Sequence, residues 1–147
     1  MRQLAWICLL PIAACQANVP VFPLIPLQAG DQQLQVQLAD TLERRMRGLM
    51  EQAPVKNGML LLYESPRPMT LWMKDTPTAL DVAFIDPQWR ISKIQPMKAN
   101  SEELHESPGD VIAALEMPLG WFAKHSVKIG QKVSSCQAIP DSCKVAK

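Results

Sequence analysis

The sequence predicts a mainly β domain, a β-sandwich or barrel-like sheet with one short N-terminal helix. Three observations carry this expectation. Leu34-Gln35-Val36-Gln37-Leu38 alternates apolar and polar residues, the period of a half-buried strand. Residues 58–63, 80–85 and 111–117 are near-continuous apolar runs of strand length, as buried strands are. Proline and glycine punctuate the gaps between such segments, which suits turns and breaks helices.

In chain order, the first segment lies outside that domain. Arg2 is followed by a charge-free apolar stretch from Leu4 to Ala14. This is the length of a signal-peptide core, and too short to cross a bilayer of about 30 Å as a helix. The stretch ends Ile12-Ala13-Ala14-Cys15, small residues ahead of a cysteine, which resembles a bacterial lipobox. There the thiol is the nucleophile that takes the lipid, and small side chains let the peptidase close around the backbone. Residues 1–14 therefore read as a signal peptide and Cys15 as the lipidation site. The alternatives are an ordinary secretory signal cut near Ala17 and an uncleaved anchor. Gln16 resembles no inner-membrane retention signal, so the expected place is the periplasmic face of the outer membrane. The membrane is then a partner through the lipid anchor. Pro20, Pro23 and Pro26 recur between apolar residues, so residues 15–30 are expected to form a semi-stiff tether. It would lie on the membrane surface or pack along the domain.

Residues 31–147 form the expected single domain, enough chain for one core and too little for two. Loss of residues 1–14 removes one of 15 basic residues, Arg2, and leaves 14 basic against 14 acidic. A neutral chain offers no electrostatic ground for nucleic acid, and a monomer is expected. Asp40-Thr41-Leu42-Glu43 resembles a capping box opening a helix. Leu42, Met46, Leu49 and Met50 follow at helical spacing, with Glu43, Arg44, Arg45 and Arg47 on other faces. A helix burying that stripe and ending by Ala53-Pro54 is expected. Strands are expected at 58–63, 71–73, 80–85, 89–94 and 111–117. The 80–85 and 89–94 strands make a hairpin across Asp86-Pro87. Residues 119–125 fit a helical turn, and 126–133 a last strand with Gly130 in a turn. Cys136 and Cys143 are separated by six residues that include Pro140-Asp141, and read as a disulfide closing a small loop in an oxidising compartment. The spacing is not that of a CxxC redox motif.

Several blocks occur together in order: Arg47-Gly48-Leu49-Met50, Gly58-Met59-Leu60, Trp72-Met73-Lys74-Asp75-Thr76, residues 80–86, and Ala114-Leu115-Glu116 followed by Gly120. As a set they resemble the DUF 192 family of small, often exported prokaryotic domains, over residues 32–134. The resemblance implies a mostly β fold and supplies no reaction. The chain departs from the family pattern at three places. Leu71 stands where an aromatic is usual, Asp75 where an asparagine is usual, and Gly130-Gln131 where Gly-Asp is frequent.

The polar residues inside these blocks are the candidate site: Arg47, Lys74, Asp75, Thr76, Asp81 and Glu116. Asp81 and Glu116 sit in or beside apolar strands, where an ionised carboxylate is costly unless paired. Arg47 and Lys74 are the expected partners. The cluster reads as an internal ion-pair network, or as a binding site for a small polar ligand or an envelope partner. A further alternative is an envelope hydrolase acting on cell-wall or glycan material, with Asp81 and Glu116 as acid and base. A third is Cu(I) binding through Met46, Met50, Met59, Met69, Met73, Met97 and Met117 with Trp72, His105 or His125, although methionine is also a flexible core filler, and Met46, Met50 and Met59 fall on expected buried faces. Trp72, Trp89 and Trp121 could offer a sugar platform or fill the core. No Gly-x-Ser-x-Gly elbow, phosphate loop or zinc spacing occurs, so no cofactor or metal is expected. The chain reads as a non-catalytic binding domain rather than an enzyme.

Overall fold

The computed structural model describes residues 19–143, and the signal peptide and Cys15 fall outside the described residues. Strands β1 (Leu24–Ala29) and β2 (Gln32–Ala39) form a tight hairpin. Its turn uses Gly30 at φ +57°, a conformation that side chains resist and glycine does not. From Leu24 onward, the segment expected to be a tether is thus part of the sheet. Ile25, Leu27 and Ala29 alternate inward and are buried; burying them removes from water apolar area that a free tether would expose.

Helix α1 (Leu42–Arg47) is shorter than the periodicity suggests. Thr41 caps it by accepting from the Arg44 N–H at 3.3 Å. Glu43 completes no capping box, because Arg44 occupies the third helical position and pairs with Asp40 at 2.7 Å. Gly48, at φ +49°, ends the helix, its N–H donating to the Arg44 carbonyl at 2.8 Å. This left-handed stop resets the helical phase, so the predicted stripe does not bury as one face. Leu49 is buried, Met50 is half-buried, and Leu42 and Met46 are 68% and 69% exposed.

The remaining strands of the main sheet are β3 (Met59–Arg67), β5 (Leu80–Ile85), β6 (Ile91–Met97), β8 (Val111–Pro118) and β9 (Val133–Ser134). Seven strands run in the order β6-β5-β8-β3-β2-β1-β9. The β2–β3 pair is parallel and the other pairs are antiparallel. The sheet curls into a half-barrel until its ends meet. Arg90, ahead of β6, bridges Lys132, ahead of β9, and the Val133 N–H donates to the Trp89 carbonyl at 2.8 Å. A separate ribbon pairs β4 (Thr70–Leu71) with β7 (His105–Glu106). The predicted 71–73 strand is thus a two-residue pairing. The predicted 126–133 strand shrinks to β9, with Gly130 in a turn at φ +88°. Helix α2 (Trp121–Lys124) is the predicted helical turn. Cys136 and Cys143 form the expected disulfide, with Cα atoms 5.4 Å apart.

The two faces of the sheet explain its apolar runs. Leu60, Ala83, Ile85, Leu115 and Met117 join side chains from β1, β2, β9 and α2 in the hollow of the curl. Leu61, Leu80, Val82, Phe84 and Ala114 belong to a second cluster covered by Leu49, Met69 and Met73. Because β5 and the inner turns of β8 serve both clusters, alternation disappears from their sequence.

Candidate functional site

The register of β5 against β8 decides where the two candidate carboxylates go. Val82 lies opposite Glu116, and Asp81 lies opposite Met117. Directly opposed residues project to the same face of a sheet. Glu116 therefore shares the outer face with Val82, and Asp81 shares the hollow with Met117. A hydrolase that uses the two as acid and base needs both at one bond, and the sheet itself separates them.

Asp81 is buried and satisfied. Its carboxylate accepts from the Gly120 N–H at 2.7 Å. Gly120 stands at φ +83° at the start of α2, so Asp81 pins the turn that sends Trp121 and Phe122 back over the sheet. The expected ion-pair network does not form among the described residues. Arg47 pairs instead with Glu51, four residues on. Lys74 is exposed, with its ammonium 5.4 Å from the centre of the Trp72 ring. Arg47, the last residue of α1, turns to Glu51 across the Gly48 stop, and Lys74 sits on an exposed turn. In that turn the Thr76 N–H donates to the Met73 carbonyl at 3.1 Å, and the Asp75 carbonyl accepts from the Glu51 N–H at 2.8 Å. Asp75 itself is at φ +54°, where asparagine and aspartate are the tolerated side chains. The departure from asparagine therefore preserves the backbone. Thr76 is buried and donates its hydroxyl to the Lys74 carbonyl at 3.3 Å.

Glu116 is different. It is 6% exposed, and no hydrogen bond or ion pair reaches its carboxyl among the described residues. Burial pushes that carboxyl up from 4.5 to about 7, because the low-dielectric surroundings penalise the charged form. Glu116 lines a cavity of about 250 Å³ on the outer face of the sheet. Leu61 and Leu80 belong to its sheet side, α1 and the Arg47–Met50 turn form one wall, and Thr70, Leu71, Trp72 and Thr76 line the other. Of the predicted residues, the cavity gathers Arg47, Thr76 and Glu116; Lys74, Asp75 and Asp81 lie elsewhere.

Two further lining residues escape the sequence reading, Tyr63 and Arg45. Tyr63 of β3 presents its ring 4.4 Å below the Arg45 guanidinium. Arg45 donates from Nη1 to the main-chain carbonyls of Asp40 and Leu62, at 2.6 and 2.8 Å. Its Nε is buried with no partner. The available signal is helical spacing: Arg45 stands beside Met46 and three residues beyond Leu42, and all three line the cavity. Leu42, Met46 and Trp72 (46% exposed) give it an apolar mouth. Trp89 is buried and Trp121 stacks on His125, which leaves Trp72 as the exposed tryptophan of the described residues.

Met46, Met50 and Trp72 share the cavity, as a Cu(I) site would need, yet Arg45 and Arg47 line it with them and the Lys74 ammonium lies over the Trp72 ring. No group of three or more His, Cys, Asp or Glu suited to a metal occurs among the described residues. A wider groove of about 480 Å³ runs past Gln28, Gln33, Gln35 and Ser134. It holds no charged side chain, and its buried Ser135 is bonded to the Pro26 carbonyl.

The comparisons with known proteins agree with this fold. The chain belongs to the DUF192 family, described as uncharacterized ACR, whose model matches residues 25–135. It is similar to the crystal structure of a proposed transcription regulator from Sinorhizobium meliloti, at 25% identity and a TM-score of 0.76, over 81% of this chain and 98% of that one. It is also similar to a protein of unknown function from Novosphingobium aromaticivorans, at 26% identity and a TM-score of 0.73, over 85% and 98%. No curated protein matches the chain.

Proposed function

We propose that this protein is a non-catalytic envelope lipoprotein whose domain binds a small ligand in the cavity floored by Glu116. One observation carries the reading. A carboxyl group that is mostly buried, with no hydrogen bond from the described residues, is costly to ionise, and a ligand that bonds to it offsets the cost. The volume of about 250 Å³ lies just below the range of drug-sized ligand pockets, about 300–1,000 Å³, which suits a small molecule. The disulfide supports an oxidising compartment, and the lipobox-like Ile12-Ala13-Ala14-Cys15 supports an anchor in the outer membrane, facing the periplasm.

Ligand binding is tested by a fragment screen read through Trp72 fluorescence, with Glu116→Leu as the comparison. Saturable binding to the wild type that the variant loses supports the site. Binding that survives Glu116→Leu places the ligand elsewhere. The anchor is tested by the intact mass of the membrane-fraction protein. A chain starting at Cys15 and heavier by a diacylglycerol and an acyl group is expected; a lipid-free chain starting near Asn18 overturns it.

A further inference from the structure

We propose that the cavity takes the carboxylate of a small amphiphilic acid, seated between the Nη2 of the Arg45 guanidinium and the Glu116 carboxyl. This deepens the binding reading and rests on it. The argument begins with Arg45. Its Nη1 is spent on two carbonyls, which leaves Nη2 as the nitrogen open to a ligand. Nε is buried and closed to the cavity, and no carboxylate pairs with Arg45 among the described residues. Nη2 can donate a charge-assisted hydrogen bond to a carboxylate. Asp40 is taken by Arg44 and Glu51 by Arg47, so the charge of Arg45 is left for a ligand to neutralise.

Glu116 completes the site in its neutral form. A protonated carboxyl donates one hydrogen bond, and a ligand carboxylate can accept it. The walls then want an apolar body, since Leu61, Leu71, Leu80 and Met50 line the space and Leu42 and Met46 stand at its mouth. An amine would match an ionised Glu116 but would have to sit beside Arg45 and Arg47. An alcohol would fill the cavity and leave Arg45 unpaired.

The proposal makes binding depend on pH with a definite sign. Arg45 and Arg47 face the cavity from α1 and its end, and Tyr63 faces it from β3. Lys74 and Asp75 lie on the exposed turn of the opposite wall, and His105 lies opposite Leu71 in the ribbon. Because the Glu116 carboxyl titrates at about 7, binding that needs its proton weakens above that pH. From pH 6 to pH 8 the protonated fraction falls about tenfold, and affinity falls with it.

The experiment is calorimetric titration of the whole chain with octanoate, octylamine and octanol at pH 6 and pH 8. Octanoate is expected to bind at pH 6 and about tenfold more weakly at pH 8. Glu116→Gln, which keeps a neutral donor, is expected to bind octanoate equally at both pH values. Arg45→Met is expected to lose octanoate and retain octanol, which also reports that the variant is folded. Tighter binding of octylamine than octanoate overturns the proposal, as does a pH dependence that persists in Glu116→Gln. Octanol binding without octanoate binding sinks the acid and spares the cavity. Failure of all three probes sinks both.

Discussion

Replacing Glu116 by glutamine isolates what the buried carboxyl does to stability. The carboxyl titrates at about 7 in the folded chain, against 4.5 for a glutamate in water. Between those values the folded state holds a proton that the unfolded state has released. The associated stability is fully present below about pH 4.5 and is lost as pH rises to about 7, beyond which the folded chain carries a buried charge. A tenfold change in proton affinity corresponds to about 1.4 kcal/mol, so the loss between pH 4 and pH 8 comes to about 3 kcal/mol. That is a large part of the roughly 5–15 kcal/mol that holds a domain together. Glutamine has nearly the same shape and is neutral throughout. Urea unfolding of both proteins across this pH interval gives the difference in stability, in which the titrations common to both cancel. The wild type is expected to lose about 3 kcal/mol relative to Glu116→Gln, with little separation at pH 4. A flat difference curve would show that Glu116 is solvated or paired, and the argument for a ligand on it would go with it.

Asp81→Ala leaves the Gly120 N–H without its acceptor and is expected to cost about 1–3 kcal/mol in urea unfolding. Octanoate binding at pH 6 should be unchanged, because Asp81 lies on the other face. Gly58→Ala brings a Cβ into the Met117 Sδ and the Glu116 main-chain oxygen. The backbone cannot yield as a side chain would, and a loss of about 3 kcal/mol or more is expected in thermal melts. Cys136→Ser with Cys143→Ser opens a small loop and should lower stability by about 2 kcal/mol, read as a lower urea midpoint with an intact far-ultraviolet spectrum.

The strands are legible in the sequence because β propensity and apolar runs survive locally. The apolar runs at 80–85 and 111–117 are β5 and most of β8. The helix is not legible in its length, because apolar spacing continues through Gly48 while the backbone at Gly48 does not continue the helix. Pro23 and Pro26 hide the alternation of Leu24–Ala29; Pro26 is tolerated where β9 pairs only with Gln28 and Ala29. Glu116 and Asp81 both stand out as acids in apolar surroundings. What separates them is the β5–β8 register, a long-range quantity that no short window contains. Arg45 gives only the weaker signal of helical spacing, because a helix arginine usually faces water and its contact with the Tyr63 ring is eighteen positions away along the chain.

Asp81 and Glu116 thus make an internal comparison. Both are buried to nearly the same extent, at 8% and 6% exposure, on adjacent rows of the same two strands. The fold supplies Asp81 with a main-chain donor at 2.7 Å, so that the carboxylate stabilises a turn. Glu116 receives nothing from the described residues and faces a cavity. Glutamine or leucine at that position would avoid a cost of about 3 kcal/mol at pH 8, and a structural role would be served as well by either. A carboxyl kept there, in a cavity also lined by an arginine with no carboxylate of its own, makes sense as half of a contact whose other half is a ligand. The same reasoning assigns the exposed Leu42, Met46 and Trp72. They stabilise little in the free domain, and they stand where the apolar body of such a ligand would leave the cavity.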